Sequence, residues 1–397
     1  MTDGGGYRAC VWFDTDITIL ESLANVDDHA QAINELGDIA GWGQTEAYLH
    51  PLLWSDGAMY ELPALGGIVA YARDINDSGL IVGESEYEPD NRWVHATLWE
   101  NMQAIDLGTF EDYGVSTALG INNRGQIVGY SWKESIHHNH AFLWQDGVMT
   151  DLGAFGWPYD ESAAKDINDA GDIVGQADDT GGHGHAVLWQ DGQIRDIHRP
   201  GYGDASGALA INNVGQIVGW VGYTVFSSSG AIWDAQHGLR DLNDLVPPFN
   251  GWIVETARDI NDAGQIAAAG PIKGTGRLND HAMLLSPVYP TIDLSEAQPG
   301  VAGQSNTITA ANLAPSTKVY FTWGTKGGGT IIPGCNIQTN ALQIDNPKVA
   351  GTAVADANGD AVLQGNVPGS VSGKWLLFQA VVPGECAISN LVVQNFE

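Results

Sequence analysis

Histidine opens a five-residue unit, His-Ala-x-Leu-Trp, that returns at His50–Trp54, His95–Trp99, His140–Trp144 and His185–Trp189. Degenerate copies stand at Arg8–Trp12, Ser229–Trp233 and His281–Leu285. Recurring imidazoles suit metal binding. Here each sits alone in its own repeat unit, too far from the next to share an ion. A structural role is expected instead, one His per unit donating to a backbone group or an Asp. A second pattern, Asp-x-Asn-Asp-x-Gly, covers Asp74–Gly79, Asp166–Gly171 and Asp259–Gly264. Oxygen-rich loops of this kind can hold Ca²⁺ when carboxylates and carbonyls converge over about a dozen residues. The matching segments at Asn122-Asn123 and Asn212-Asn213 lack both acids and keep the turn. Asn side chains bonding their own backbone account for every copy. No cofactor is therefore expected, with Ca²⁺ the lesser alternative.

The chain holds no Gly-x-Ser-x-Gly elbow, phosphate loop, His-Glu-x-x-His or paired-Cys zinc motif. What remains are aromatic and charged residues between the repeat units: Tyr87, Trp93, Trp132, His137, His138, Trp157, Tyr159, Tyr202, Tyr223 and Trp252. Aromatic faces beside carboxylates suit stacking on sugar rings. The competing reading is that many of them pack loops onto the scaffold.

The elements that must position these residues follow from self-similarity. The unit Ala-x-x-Ile-Asn-x-x-Gly-x-Ile-Val places its first Ile at Ile33, Ile75, Ile121, Ile167, Ile211 and Ile260, with spacings of 42, 46, 46, 44 and 49. Each unit reads as four short strands: a (Ala-x-x-Ile-Asn), b (Ile-Val-Gly), c (His-Ala-x-Leu-Trp) and d (ending Asp-Leu). The a–b turn is Asn-x-x-Gly and the c–d turn is often Asp-Gly, both hairpin signals. Four strands repeated every 45 or so residues mark propeller blades. Six a–b units face seven c-type strands, so the expectation is a six-bladed β-propeller whose N-terminal strands complete the last blade. Seven blades is the alternative if upstream sequence is lost. In either ring the a–b and c–d turns share one end, and the long b–c and d–a connections share the other. That loop end is the expected recognition surface.

Composition agrees. The 397 residues include 51 Gly and 14 Trp but only 16% charged residues, against long helices and for short strands with tight turns. A formal charge of −32 argues against nucleic acid and anionic membrane surfaces. No run is long and apolar enough to cross a bilayer.

From Thr291 the pattern changes to short alternating runs such as Val319–Trp323 and Trp375–Gln379, separated by Gly, Pro and Asn turns, as in an immunoglobulin-like β-sandwich. The division is residues 1–287 and 288–397. Cys335 and Cys386 sit in Pro-Gly-Cys and Pro-Gly-Glu-Cys turns, and a disulfide between them is expected. Cys10 reads as a buried, inert thiol.

The in-phase units over residues 8–286, with His140-Ala141-Phe142, resemble the HAF-type extracellular repeat. Gly351-Thr352-Ala353, Asp356–Gly359 and Ser389–Val392 resemble a C-terminal β-sandwich on secreted planctomycete- and myxobacterium-like proteins. The resemblance implies a secreted or surface-attached bacterial propeller. The expected function is non-catalytic binding of a carbohydrate, surface polymer or protein partner at the loop end. One alternative is a propeller-borne glycosidase, lyase or lactonase using loop-end carboxylates or His137, His138 and His183. Another is a self-assembling subunit of a surface layer or fibre. Enzymatic activity is left open, leaning against.

Overall fold

The computed structural model describes the chain outside residues 1–5, 14–15, 25, 89–90, 112–113, 134–136, 157–159, 223–227, 247–250, 273–279, 287–291, 326, 332–340, 345–347, 383–386, 390–391 and 397. The chain divides into two compact units, Met1–Ser286 and Pro287–Glu397.

The first unit is built from repeated four-stranded antiparallel sheets of the kind that build a β-propeller. Sheet 1 holds Asp28–Ile33, Ile39–Gln44, Leu49–Ser55 and Ala58–Glu61, paired in that order as strands a, b, c and d. Sheet 2 holds Ala70–Ile75, Ile81–Glu88, Asn91–Glu100 and Gln103–Asp106; sheet 3 holds Ser116–Ile121, Ile127–Lys133, His138–Gln145 and Val148–Asp151. Sheet 4 holds Ser162–Ile167, Ile173–Asp178, Gly184–Gln190 and Gln193–Asp196; sheet 5 holds Ala205–Ile211, Ile217–Gly222, Ser228–Asp234 and Gly238–Asp241. Among the described residues sheet 6 has three strands, Thr256–Ile260, Ile266–Pro271 and Asp280–Leu285.

Each part of the repeat has a local cause. Strand a carries a bulge just before its Ile, as between Ala118 and Gly120. The Gly of Ile-Val-Gly lies against that strand so closely that a Cβ on Gly129 would stand 1.9 Å from the Thr117 carbonyl oxygen. No side chain fits there, which is why every strand b carries glycine at this position in sheets 1–5. The branched Ile and Val alternate between two covered faces, so both sides of each sheet are apolar. Val82, Val128 and Val174 are fully buried on one side, while Ile75, Ile121 and Ile167 are buried on the other. Strand a of each sheet packs on strands a, b and c of the sheet before it. The cores are accordingly shared between neighbours, as where Val128 and Ala141 of sheet 3 join Ile167, Ile173 and Trp189 of sheet 4.

The a–b turns are held on one two-railed ladder. In the first rail the side-chain amide of Asn34 donates to the Asn76 carbonyl, Asn76 to Asn122, Asn122 to Asn168, Asn168 to Asn212 and Asn212 to Asn261, at 2.9–3.2 Å. In the second, the backbone N–H of Glu35, Asp77, Asn123, Asp169 and Asn213 each donates to the side chain of the next sheet's equivalent residue. The same Asn side chains also cap their own turns, as Asn76 does by accepting from Ser78 and Leu80. All six a–b turns therefore share one end, and the b–c and d–a connections leave from the other.

The N-terminal strands Cys10–Phe13 and Asp16–Ile19 pair only with each other among the described residues, instead of completing sheet 6. They pack on sheet 1 through Ala9, Val11, Leu20 and Leu23 against Ile39, Leu52 and Trp54. The Trp54 indole donates to the Glu21 carbonyl, as the Trp99 indole donates to the Pro63 carbonyl behind the d strand of sheet 1. The pair thus occupies the c and d places of a sheet preceding sheet 1. Sheet 6 keeps its own strand c, which leaves no c place for them there. Cys10 is half-buried and unpaired.

The second unit is also all β. One sheet is Asp293–Leu294, Ser305–Ala311 and Ala361–Asn366; another centres on Lys318–Gly324 and Trp375–Val382, flanked by Lys348–Val354, Ala387–Ile388 and Val392–Asn395. Gly327–Ile331 and Ala341–Ile344 pair separately. Ile308, Ala310, Phe321, Phe378 and Phe396 share its core. Cys335 and Cys386, expected to bond to each other, lie outside the described residues.

Candidate functional site

The repeat histidines are committed to carboxylates eleven residues on, across the c–d pair. His50 Nδ1 lies 2.6 Å from Glu61, His95 2.9 Å from Asp106, His140 2.8 Å from Asp151 and His185 2.8 Å from Asp196. Asp106, Asp151 and Asp196 also accept a backbone N–H two residues ahead, which fixes the Asp-x-Gly or Asp-x-His turn leaving strand d. A buried Ser opening the next strand a completes the device: Ser162 Oγ donates to the Gly153 carbonyl and accepts from the Ala141 N–H. Sequence order thus becomes a rigid link from strand c to the next sheet. Among the described residues no group of three or more His, Cys, Asp or Glu is placed to hold a metal ion.

Sheet 3 shows the electrostatics. Burial works to lower the His140 imidazole pKa, but the Asp151 bond, with Asp151 and Asp160 as nearby charges, outweighs it and raises the pKa. Burial likewise works against the Asp151 carboxylate, yet His140, Lys133 and the Gly153 N–H hold its pKa well below the usual range. The raised His contributes stability below about pH 6.5 that fades as pH climbs through its folded pKa. The lowered Asp contributes above about pH 3.8 and fades on acidification. NMR titration of the His140 ring is expected to give a midpoint above that of free imidazole, about 6.5. A midpoint at or below it would contradict this account.

At the loop end, several sequence-selected aromatics are already engaged. Tyr87, closing strand b of sheet 2, stacks on His95 at 4.5 Å and 5°. Tyr202 lies under the Arg199 guanidinium at 5.7 Å and packs against the core shared by sheets 4 and 5. Trp252 meets His281 edge-on at 5.3 Å and bridges to Ile272. Each of these three rings already has a protein group against it. Trp93 is exposed on strand c of sheet 2. Around the b–c connection of sheet 3, Trp132 near the end of strand b is tilted against His137 at 6.5 Å, and His138 at the start of strand c lies 3.9 Å from Glu161. Trp157, Tyr159 and Tyr223 lie outside the described residues.

Sequence reading missed a row of acids and imidazoles crossing from sheet 3 to sheet 5 beside that hairpin. His140 Nε2 is 3.4 Å from Asp160, and Asn139 donates to Glu161 at 3.5 Å. Burial, then Glu161 and Asp179, raise the Asp178 pKa. Asp179 lies 3.6 Å from His183 and 3.7 Å from His185, whose ring stacks on His198 at 4.2 Å. The pairs Asp160-Glu161 and Asp178-Asp179 were the available signal. Only pairing sheets 3 and 4 side by side puts them together.

A second feature lies at the turn end. A cleft of about 570 Å³ between sheets 4 and 5 is lined by Asp172, Gln190, Arg195, Asn213, Gln216, Trp233 and His237. It forms where the two-residue c–d turn of other sheets is replaced by Ala235-Gln236-His237. Arg195 lies over the Trp233 ring at 5.4 Å.

No family model matches the chain, and no curated protein matches it. Among solved structures it is similar to a fungal alcohol oxidase of the AA5 family in complex with copper, at 11% identity and a TM-score of 0.36, over 92% of this chain and 84% of that one.

Proposed function

We propose that this protein is an extracellular, non-catalytic binding module, a propeller of HAF-type repeats followed by an immunoglobulin-like sandwich. Its ligand is a carbohydrate or surface polymer held at the loop end. One observation carries the reading: the ladder gathers the short a–b turns at one end, leaving the irregular connections together at the other. There one hairpin carries an indole tilted against His137 and, on its other strand, His138 beside Glu161, an aromatic face and groups that bond hydroxyls. On a glycan array, Trp132→Ala is expected to lower retention about tenfold, equivalent to about 1.4 kcal/mol. Unchanged retention removes the loop-end assignment. Loss on Arg195→Ala instead would move the site to the turn-end cleft.

A glycosidase is the second reading, favoured by the raised Asp178 pKa with the Glu161 charge nearby, since a carboxyl held protonated beside a second carboxylate can act as a general acid. Release of reducing ends from an array-positive glycan, abolished by Asp178→Asn, would replace the binding reading with this one.

A further inference from the structure

The six sheets form a series with two unsatisfied ends. At sheet 6 the Asn261 side-chain amide donates, among the described residues, only to Gln265, whereas Asn122 and Asn212 make the same bond and also reach the next sheet's carbonyl. At sheet 1 the Asn34 carbonyl accepts, among the described residues, only from the Gly37 N–H. The five later equivalents each accept from their turn Gly and from the preceding Asn. One end offers donors and the other acceptors.

The apolar positions agree. Ile33 is 52% exposed, while Ile75, Ile121, Ile167, Ile211 and Ile260 are 4–6% exposed beneath the sheet before them. Leu284 is 67% exposed, while Leu98, Leu188 and Ile232 are 4–8% exposed beneath the sheet after them. Among the described residues strand Cys10–Phe13 bonds Asp16–Ile19 on one edge only, although strand c of sheets 1–5 is bonded on both. The pair holds the outer places of a sheet in which no described residue takes the inner two.

We infer that this surface is a docking place for one more β-hairpin of the repeat's own inner kind, strands a and b around an Asn-x-x-Gly turn. Its strand b pairs with the free edge of Cys10–Phe13. Its apolar side chains cover Ile33, its turn Asn donates to the Asn34 carbonyl, and the next N–H donates to the Glu35 carboxylate. Its far face then meets Leu284, with its turn carbonyl accepting from Asn261. The occupant is specified by the five junctions the molecule already contains. An exposed strand edge beside an uncovered apolar face is a standard geometry for strand addition.

A fluorescent peptide copying residues 116–133, the a–b hairpin of sheet 3, tests this against the whole 397-residue chain by anisotropy. Saturable binding and a raised melting temperature are expected, with a scrambled peptide inert. The peptide carrying Asn122→Ala should bind about tenfold more weakly. Ile33→Asp in the protein, at an already exposed position, should abolish binding without lowering the melting temperature of the free chain. Equal binding of native and scrambled peptides, or no binding, overturns the inference. So does hydrogen exchange showing Ile33 protected in the free monomer, which would mean the chain's own ends meet. Concentration-dependent self-association that blocks the peptide would assign the surface to a second copy.

Discussion

Replacing Asn122 with Ala is expected to destabilise the propeller-like unit by about 2–4 kcal/mol, the range for stripping several bonds from a buried polar cluster. The Asn122 side chain is buried and fully used. Its Oδ1 accepts from the Arg124 and Gln126 N–H groups, and its Nδ2 donates to Gln126 and to the Asn168 carbonyl. Alanine leaves two turn N–H groups and a carbonyl of the next sheet without these partners. The change should lower the midpoint of chemical denaturation. Asn261→Ala provides the contrast, because Asn261 is exposed and its amide reaches no further sheet, so its loss should cost about 1 kcal/mol or less. Asn122→Asp separates the two roles, since it keeps the acceptor that caps the turn and removes the donor that crosses to sheet 4. If all three variants unfold together, the ladder adds nothing beyond local turn chemistry.

That ladder also shows where sequence reading stops. The a and b strands, their Asn-x-x-Gly turns and the order of the sheets were legible, because each depends on residues within a few positions of one another. Capping of the turn by its own Asn was legible for the same reason. The donation from that Asn to the next sheet was not, because it joins residues 42–49 apart and needs the stacking of sheets to exist first. The histidine partners fell between these cases. A structural His bonded to an Asp was expected, and the constant interval from His140 to Asp151 was in the sequence, but strand pairing alone made it a contact. Tyr87, Tyr202 and Trp252 were expected at the recognition surface from type and loop position, which say nothing about whether a His or Arg already faces the ring. The cleft beside Arg195 escaped notice because it depends on one c–d turn being longer than its siblings, a departure that a search for similarity passes over. The N-terminal pair was read as closing sheet 6. Its side chains instead fit the face of sheet 1, and no local pattern distinguishes those two neighbours.

The inner strands carry the last and most pH-sensitive consequence. Asp74 and Asp166 sit in alternate sheets, each accepting from the Ile N–H that follows it and from the corresponding Ile N–H one sheet on, Ile121 and Ile211. Sheet 3 carries glycine at the equivalent position, packed closely on the strand of sheet 4 that bears Asp166. A Cβ on Gly120 would stand 3.0 Å from the Asp166 Cα. Burial first, then the neighbouring Asp166 charge, push the Asp74 pKa up to about 8 despite its two backbone bonds. Burial, with Asp259 nearby, pushes Asp166 up to about 6. A carboxyl whose folded pKa lies above its unfolded value of 3.8 binds a proton in the folded state that the unfolded chain has released. Stability therefore falls as pH rises from about 4 through 8. One such group at one proton over several pH units corresponds to about 2–4 kcal/mol. Denaturation between pH 5 and pH 8 should show this decline, steepest below pH 6, where both carboxyls hold a proton that the unfolded chain has released, and shallower above it as Asp166 ionises. His140 bends the profile in the same direction, so the slope must be compared with Asp74→Asn and Asp166→Asn rather than read alone. Asparagine does not titrate, and its amide nitrogen cannot accept the second N–H, so each variant should lose stability at pH 5 while flattening the dependence above it. A profile equally steep in both variants would place the titrating groups elsewhere and leave these aspartates charged in the folded protein.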